Sequence, residues 1–333
     1  MKKILALLLA LWIPAALLSG CAPQDDSAAS NKLNIVTTIF PAYDWVREIL
    51  GDETDRAEIT TLLDSGVDLH SYQPTVDDIV KISECDLFLY VGGESDVWVD
   101  DALKNAPNKD RKVIRLLDVL GDSAKAEETV EGMQEEEHDH EEEEHGHEEE
   151  AEYDEHIWLS LKNAQVLVAA ISEALQETDP ARKDTYAANA AAYVEKLSAL
   201  DGEYRAAVDS GKYKTLLFGD RFPFRYLADD YGLDYYAAFP GCSAETEASF
   251  ETVSFLAGKM DALGLPCVLT IEGTQHKIAE TIVQNTAQKN QQVLTMDSMQ
   301  AVTANDASSG VSYLSIMEKN LSVLKKALGQ EAE

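Results

Sequence analysis

Seven histidines occur in 333 residues, and they are unevenly spread. Five of them (His138, His140, His145, His147 and His156) fall in EEEHDHEEEEHGHEEEAEYDEHIWLS, residues 135–160, while His70 and His276 stand far from it. Imidazole nitrogen suits Zn2+ and other borderline transition ions, so the chemistry this distribution suggests is metal ligation. The HDH and HGH pairs, set in dense acid, form a compositional metal binder. Their affinity should be weak and plural, because a flexible chain loses entropy in assembling each site. His138, His140, His145 and His147 are therefore accessory ligands. His70, His156 and His276, the only histidines of the remaining chain, are candidates for one shared site.

A carboxylate would make a reasonable fourth ligand. Asp220 follows the apolar run TLLFG and is that candidate; Glu272 lies near the same sheet end and reads as a supporting or structural carboxylate. A carboxylate shifts preference somewhat toward Mn2+. The thiols are weaker candidates: there is no CxxC pair, and Cys85, Cys242 and Cys267 allow at most one internal bridge, whose pairing the sequence leaves open. No nucleophile elbow, phosphate-binding glycine loop or HExxH is present. A zinc hydrolase would need an open coordination position and a base, and nothing marks a substrate pocket, so the chain is not read as an enzyme.

The net charge is −34, and Glu127–Glu155 holds seventeen acids with no Lys or Arg. Such a surface repels nucleic acid and attracts cations.

The elements that must position these residues alternate short β-rich runs with helical periodicity. NIVTTIF, AEITTLL, DLFLYVGG and KVIRLLDV read as four strands separated by helices, and such repetition implies a mostly parallel sheet. His70 falls in the loop after the second strand. Residues 124–154 lack apolar periodicity and carry too much like charge to pack, so they read as a disordered loop; removing 127–153 should spare a tight site. Order resumes at HIWLSLKNAQVLVAAISEALQETD, which starts at His156, and residues 155–178 return to the first lobe. Asp179 is the expected cap, and Pro180 the first residue, of a linker helix over 179–210 that spans roughly 40 Å. A second lobe, 211–333, repeats the pattern with TLLFG, LDYYAAF, CVLTIEG and QQVLTMD as strands. The fold class is α/β: two β/α lobes with mostly parallel sheets, joined by a long rigid helix. In open sheets of this kind ligands sit beyond the carboxyl ends of strands, where His70, Asp220 and His276 all fall.

MKKILALLLALWIPAALLSGC has a basic start, an apolar run of about fifteen residues and small residues before Cys21, the pattern of an export signal and too short for a membrane span. Leu18–Cys21 resembles a bacterial lipobox, implying a signal peptide over 1–20, a lipidated Cys21 and a polar tether over 21–32.

With NIVTTIFPAYDWV, GVDLHSYQPTVDDI, DEHIWLS, YGLDYYAAFPG, HKIAETIVQNT and YLSIMEKNLSVLKKAL in hand, the chain resembles the zinc/manganese solute-binding lipoproteins of bacterial ABC transporters, a group that includes zinc-uptake proteins and streptococcal adhesins. The resemblance implies two lobes holding a metal between them and delivering it to a membrane permease. It matches His70 to the first ligand and His156 to the second. The third position departs: FGDRFPFRYL puts Arg221 there, with Asp220 one residue earlier. His276 matches the fourth with about one residue of slack. The resemblance thus implies a monomeric receptor for Zn2+ more than Mn2+, lipid-anchored on the extracytoplasmic face of the cell membrane. The alternative is a metal-stabilised surface adhesin.

Overall fold

The computed structural model describes residues 32–104, 106–134, 152–243, 247–273 and 276–330. The expected signal peptide, Cys21, and the accessory histidines 138, 140, 145 and 147 lie outside the described residues.

The first half runs β1 (Leu33–Thr37), α1 (Phe40–Leu50), β2 (Ala57–Thr61), α2 (Val76–Glu84), β3 (Leu87–Tyr90), α3 (Val99–Lys104), β4 (Lys112–Arg115) and α4 (Leu116–Leu120). Two longer helices follow, α5 (Leu161–Thr178) and α6 (Lys183–Ser210). The second half runs β5 (Thr215–Phe222), α7 (Arg225–Tyr231), β6 (Asp234–Pro240), α8 (Phe250–Leu263), β7 (Cys267–Thr270), α9 (Lys277–Asn285), β8 (Gln292–Thr295), α10 (Ala304–Ser308) and α11 (Tyr313–Ala327). Both sheets are wholly parallel, with orders β2-β1-β3-β4 and β6-β5-β7-β8. Each order reverses beside its first strand, which opens the crevice where such sheets bind ligands.

The sequence explains where the helices begin. Pro41 starts α1, whose Trp45, Val46, Ile49 and Leu50 are buried; Thr75 and Asp78 close a capping box on α2; Ser160 caps α5. One expected cap is different. Asp179 makes no cap hydrogen bond; its carboxylate accepts from the Tyr186 hydroxyl at 3.0 Å, Pro180–Arg182 forms a 3-10 turn, and α6 begins at Lys183. Its 28 residues reach about 42 Å. Gly310, at φ +94°, separates α10 from α11.

One buried cluster runs from Ile35 and Trp45 in the first half, through Trp158 and Tyr204, to Phe218 and Leu324 in the second. The two sheets therefore share a core, and residues between them have a fixed setting.

The acidic segment does not begin without structure. Ala126 bridges Tyr153, the Glu127 N–H donates to Glu152 O at 2.7 Å and the Asp154 N–H to Lys125 O at 2.8 Å. Residues 125–134 then lie along the second half: Glu128 pairs with Arg225, Glu131 with Lys259, and the Gln134 N–H donates to Ala238 O. Like charge is tolerated there because each of these acids finds a cation or an N–H.

Candidate metal centre

Two Asp-x-His tripeptides build the centre. After β2 the chain turns at Asp68, whose Oδ1 accepts the His70 N–H at 3.0 Å, while buried Leu69 anchors the turn. Asp154 repeats the device: its Oδ1 accepts the His156 N–H at 2.8 Å. Short aspartate-to-backbone bonds of this kind fix a local turn without help from a sheet ladder. They project the two imidazoles toward each other from opposite parts of the chain, Nε2 to Nε2 at 3.2 Å.

The other ring nitrogens are both engaged. His156 Nδ1 lies 3.0 Å from Asp154 Oδ1. His70 Nδ1 lies 2.9 Å from Ser95 Oγ and 3.4 Å from Glu155 Oε2. A carboxylate beside Nδ1 favours the N–H there, which leaves each Nε2 with its lone pair aimed at the other. Two lone pairs in apposition repel unless a cation lies between them. With Zn–N bonds of about 2.0–2.1 Å, nitrogens 3.2 Å apart subtend roughly 100° at the ion, close to a tetrahedral angle.

The surroundings are dry and acidic. His156 is fully buried and Glu155 nearly so. The Ser95 N–H donates to Glu155 Oε1 at 2.8 Å, and Glu155 packs so closely on Gly93, at φ +83°, that a Cβ there would meet Oε1 at 2.4 Å. Gly241 likewise brings the turn after β6 against the His156 ring, 3.2 Å from where a Cβ would stand. Burial, then the charge of His156, pushes His70 below the usual imidazole range. For His156 burial opposes the charged form, but the charge and hydrogen bond of Asp154, with Glu155, outweigh it and raise the ring. Zinc therefore competes with a proton for His156.

Arg221 crosses between the halves. A register shift in β5 between Phe218 and Arg221 marks a bulge, which re-aims side chains. The Arg221 guanidinium donates to Asp68 Oδ2 at 2.6 Å and to Ser243 O at 3.2 Å. Burial works to raise the Asp68 carboxyl, and Arg221 holds it below the ordinary range.

The sequence candidates divide. His70 and His156 come together, and the third group beside them is Cys242: its Sγ and one nitrogen of each histidine lie within 4.8 Å of one another. Asp220 and His276 are not gathered into that group. Asp220 Oδ1 accepts the Arg221 N–H at 2.9 Å, its Oδ2 lies 3.4 Å from the Ile271 N, and its charge interacts with His276. His276 Nδ1 is buried and has no hydrogen-bond partner among the described residues. Glu272 binds its own neighbourhood: its oxygens accept the Ser298 N–H, the Ser298 hydroxyl and the Gln300 N–H at 2.6, 2.7 and 3.0 Å. It shapes the 298–300 turn. Cys85, Cys242 and Cys267 are all free thiols.

A cavity of about 280 Å³ reaches the centre, lined by His70, Ser95, Glu155 and Cys242 with Glu127 and Glu152. The stem of the acidic segment therefore forms part of the wall beside the two histidines.

The family described as zinc-uptake complex component A, periplasmic, matches residues 35–327. The zinc-binding lipoprotein AdcA of Streptococcus pneumoniae is 33% identical over 331 residues, 99% of this chain and 62% of that protein. The chain thus spans less than two thirds of that relative's length. The high-affinity zinc uptake system protein ZnuA of Bacillus subtilis is 30% identical over 298 residues, covering 90% of this chain and 88% of the relative. Among solved structures, the Zn(II)-bound ZnuA-like domain of Streptococcus pneumoniae AdcA superimposes with a TM-score of 0.68 at 29% identity, covering 90% of this chain and all of that one.

Proposed function

The chain belongs to the family of periplasmic zinc-uptake component A proteins, and from that premise we propose that it is an extracytoplasmic receptor that captures Zn2+ and delivers it to an ABC importer. Zn2+ is the cargo, and His70 and His156 are its ligands. The observation that carries this reading is the pair of Nε2 atoms 3.2 Å apart, each ring held by a partner at its Nδ1. Asp68, Asp154 and Glu155 supply negative charge around the ion, partly offset by Arg221. Capture needs no reaction, only deprotonated nitrogens and a dry setting.

The domain assignment follows. Residues 33–123 with 155–178, and 211 onward, flank the ion, and the linker over 179–210, with α6 as its helix, keeps their spacing. Lipidation at Cys21 would hold the protein at the membrane, and the histidines at 138, 140, 145 and 147 would gather cations near the mouth of the site.

The test is a zinc titration of the full chain. One tight site is expected, with His70→Ala and His156→Ala each abolishing it, and cells lacking the protein should grow poorly only when zinc is scarce. Wild-type affinity in both variants would reject the reading.

A further inference from the structure

We propose that the Cys242 thiolate is a third zinc ligand, giving a two-histidine, one-cysteine set. This rests on the zinc-capture reading above and deepens it.

The thiol stands at the carboxyl end of β6, where a parallel sheet presents groups to a ligand, and its Sγ lies within 4.8 Å of both histidine nitrogens. A tetrahedral zinc site has N–S edges of about 3.5 Å, given bonds near 2.05 and 2.3 Å. Closing that gap takes about 1 Å, within the range of a cysteine side-chain rotation.

The turn that carries Cys242 is held in place from three sides. Gly241 packs against the His156 ring. The Cys242 N–H donates to Glu127 Oε1 at 2.9 Å. Arg221, a cation that cannot itself bind one, donates to the carbonyl of the next residue, Ser243. Sulfur and His70 also face the same cavity.

Ligation is a proton exchange. The Sγ–H bond breaks, its proton leaves to solvent, Sγ donates the electron pair to zinc, and zinc sheds a water; no oxidant or reductant takes part. A soft sulfur in the set favours Zn2+ over Mn2+, and it makes capture sensitive to thiol oxidation.

Co2+ in place of zinc makes the sulfur visible. The full chain should show a near-ultraviolet thiolate-to-cobalt band that Cys85→Ser and Cys267→Ser keep and Cys242→Ser loses. Zinc affinity of Cys242→Ser should fall by more than about 100-fold, beyond what an outer partner costs, yet stay measurable. His156→Ala should lose the tight site. A retained band with unchanged zinc affinity in Cys242→Ser overturns the thiolate and leaves capture standing; wild-type affinity in His156→Ala overturns capture itself.

Alkylation of the wild-type chain gives a readout that needs no variant. Cys242 is partly exposed while Cys85 and Cys267 are buried, so iodoacetamide should label Cys242 and zinc should protect it. Labelling at the same rate with and without zinc overturns the proposal.

Discussion

Asp154 is a positioning residue, and removing its carboxylate tests whether the site works as described. One oxygen, Oδ1, accepts both the His156 N–H at 2.8 Å and the ring Nδ1–H at 3.0 Å, and the side chain is 2% exposed. It fixes the turn, the ring orientation and the tautomer together. Loss of such a partner costs about 10–100-fold in metal affinity, or about 1.4–2.7 kcal/mol. Asp154→Ala should fall toward the upper end; Asp154→Asn, which keeps an acceptor but loses the charge, toward the lower. Competition with a chromophoric zinc chelator at pH 8 measures both. The same assay from pH 8 to pH 6 carries a second signature. His156 is raised above 6.5, with burial opposing and Asp154 the first group to favour the charged ring. Zinc and a proton compete for that ring, so affinity falls as pH falls. Without the Asp154 charge that proton binds less well, so the Asn variant should show a flatter pH dependence. Affinity within twofold of wild type in Asp154→Ala, with an unchanged pH slope, would refute the reasoning.

Replacing residues 135–151 with a short Gly/Ser linker should leave the tight zinc site intact in calorimetry and remove the weak sites; contrary to the reading of the sequence alone, excision of 127–153 should damage it, since Glu127 holds the Cys242 N–H. Burial pushes Asp44 up to about 6 from 3.8, despite the Tyr313 N–H it accepts. The folded protein thus keeps a proton that the unfolded chain releases, so stability falls as pH rises from about 4 through 6. Asp44→Asn should remove up to about 3 kcal/mol of that fall, read from urea melts at pH 4 and pH 8; equal slopes in the two proteins would contradict it. Gly93→Ala should destabilise by about 1–3 kcal/mol, because its φ is +83° and a Cβ would stand 2.4 Å from Glu155 Oε1; a thermal melt unchanged from wild type would show that Glu155 does not pack there.

The architecture was largely legible because parallel strands leave short apolar runs between amphipathic helices: all eight runs read as strands contain strands. His70 stood out as an isolated imidazole after a strand, and His156 as the last of the histidine run, where ordered sequence resumes. Position in a chain, however, says which end of a sheet a residue reaches and not which neighbour it meets. Asp220 lies inside β5 and His276 just before α9, neither of them in the histidine group, and Glu272 is held by Ser298 and Gln300. Cys242 was discounted for want of a CxxC pair, although its partners are histidines supplied by the other parts of the fold. Arg221 stands at the third ligand position of the resemblance, and its bond to Asp68, 153 residues away, has no local signal. The Asp-x-His tripeptides at 68–70 and 154–156 were visible in the sequence; their shared turn is what marks these two histidines apart from His276, which has no aspartate two residues before it.

An anomalous difference map at the zinc edge, from crystals of the zinc-loaded protein, tests the capture site most directly. One peak is expected between His70 and His156, about 2.0–2.1 Å from each Nε2. A peak at Asp220 and His276, with the space between the two histidines empty, would contradict it.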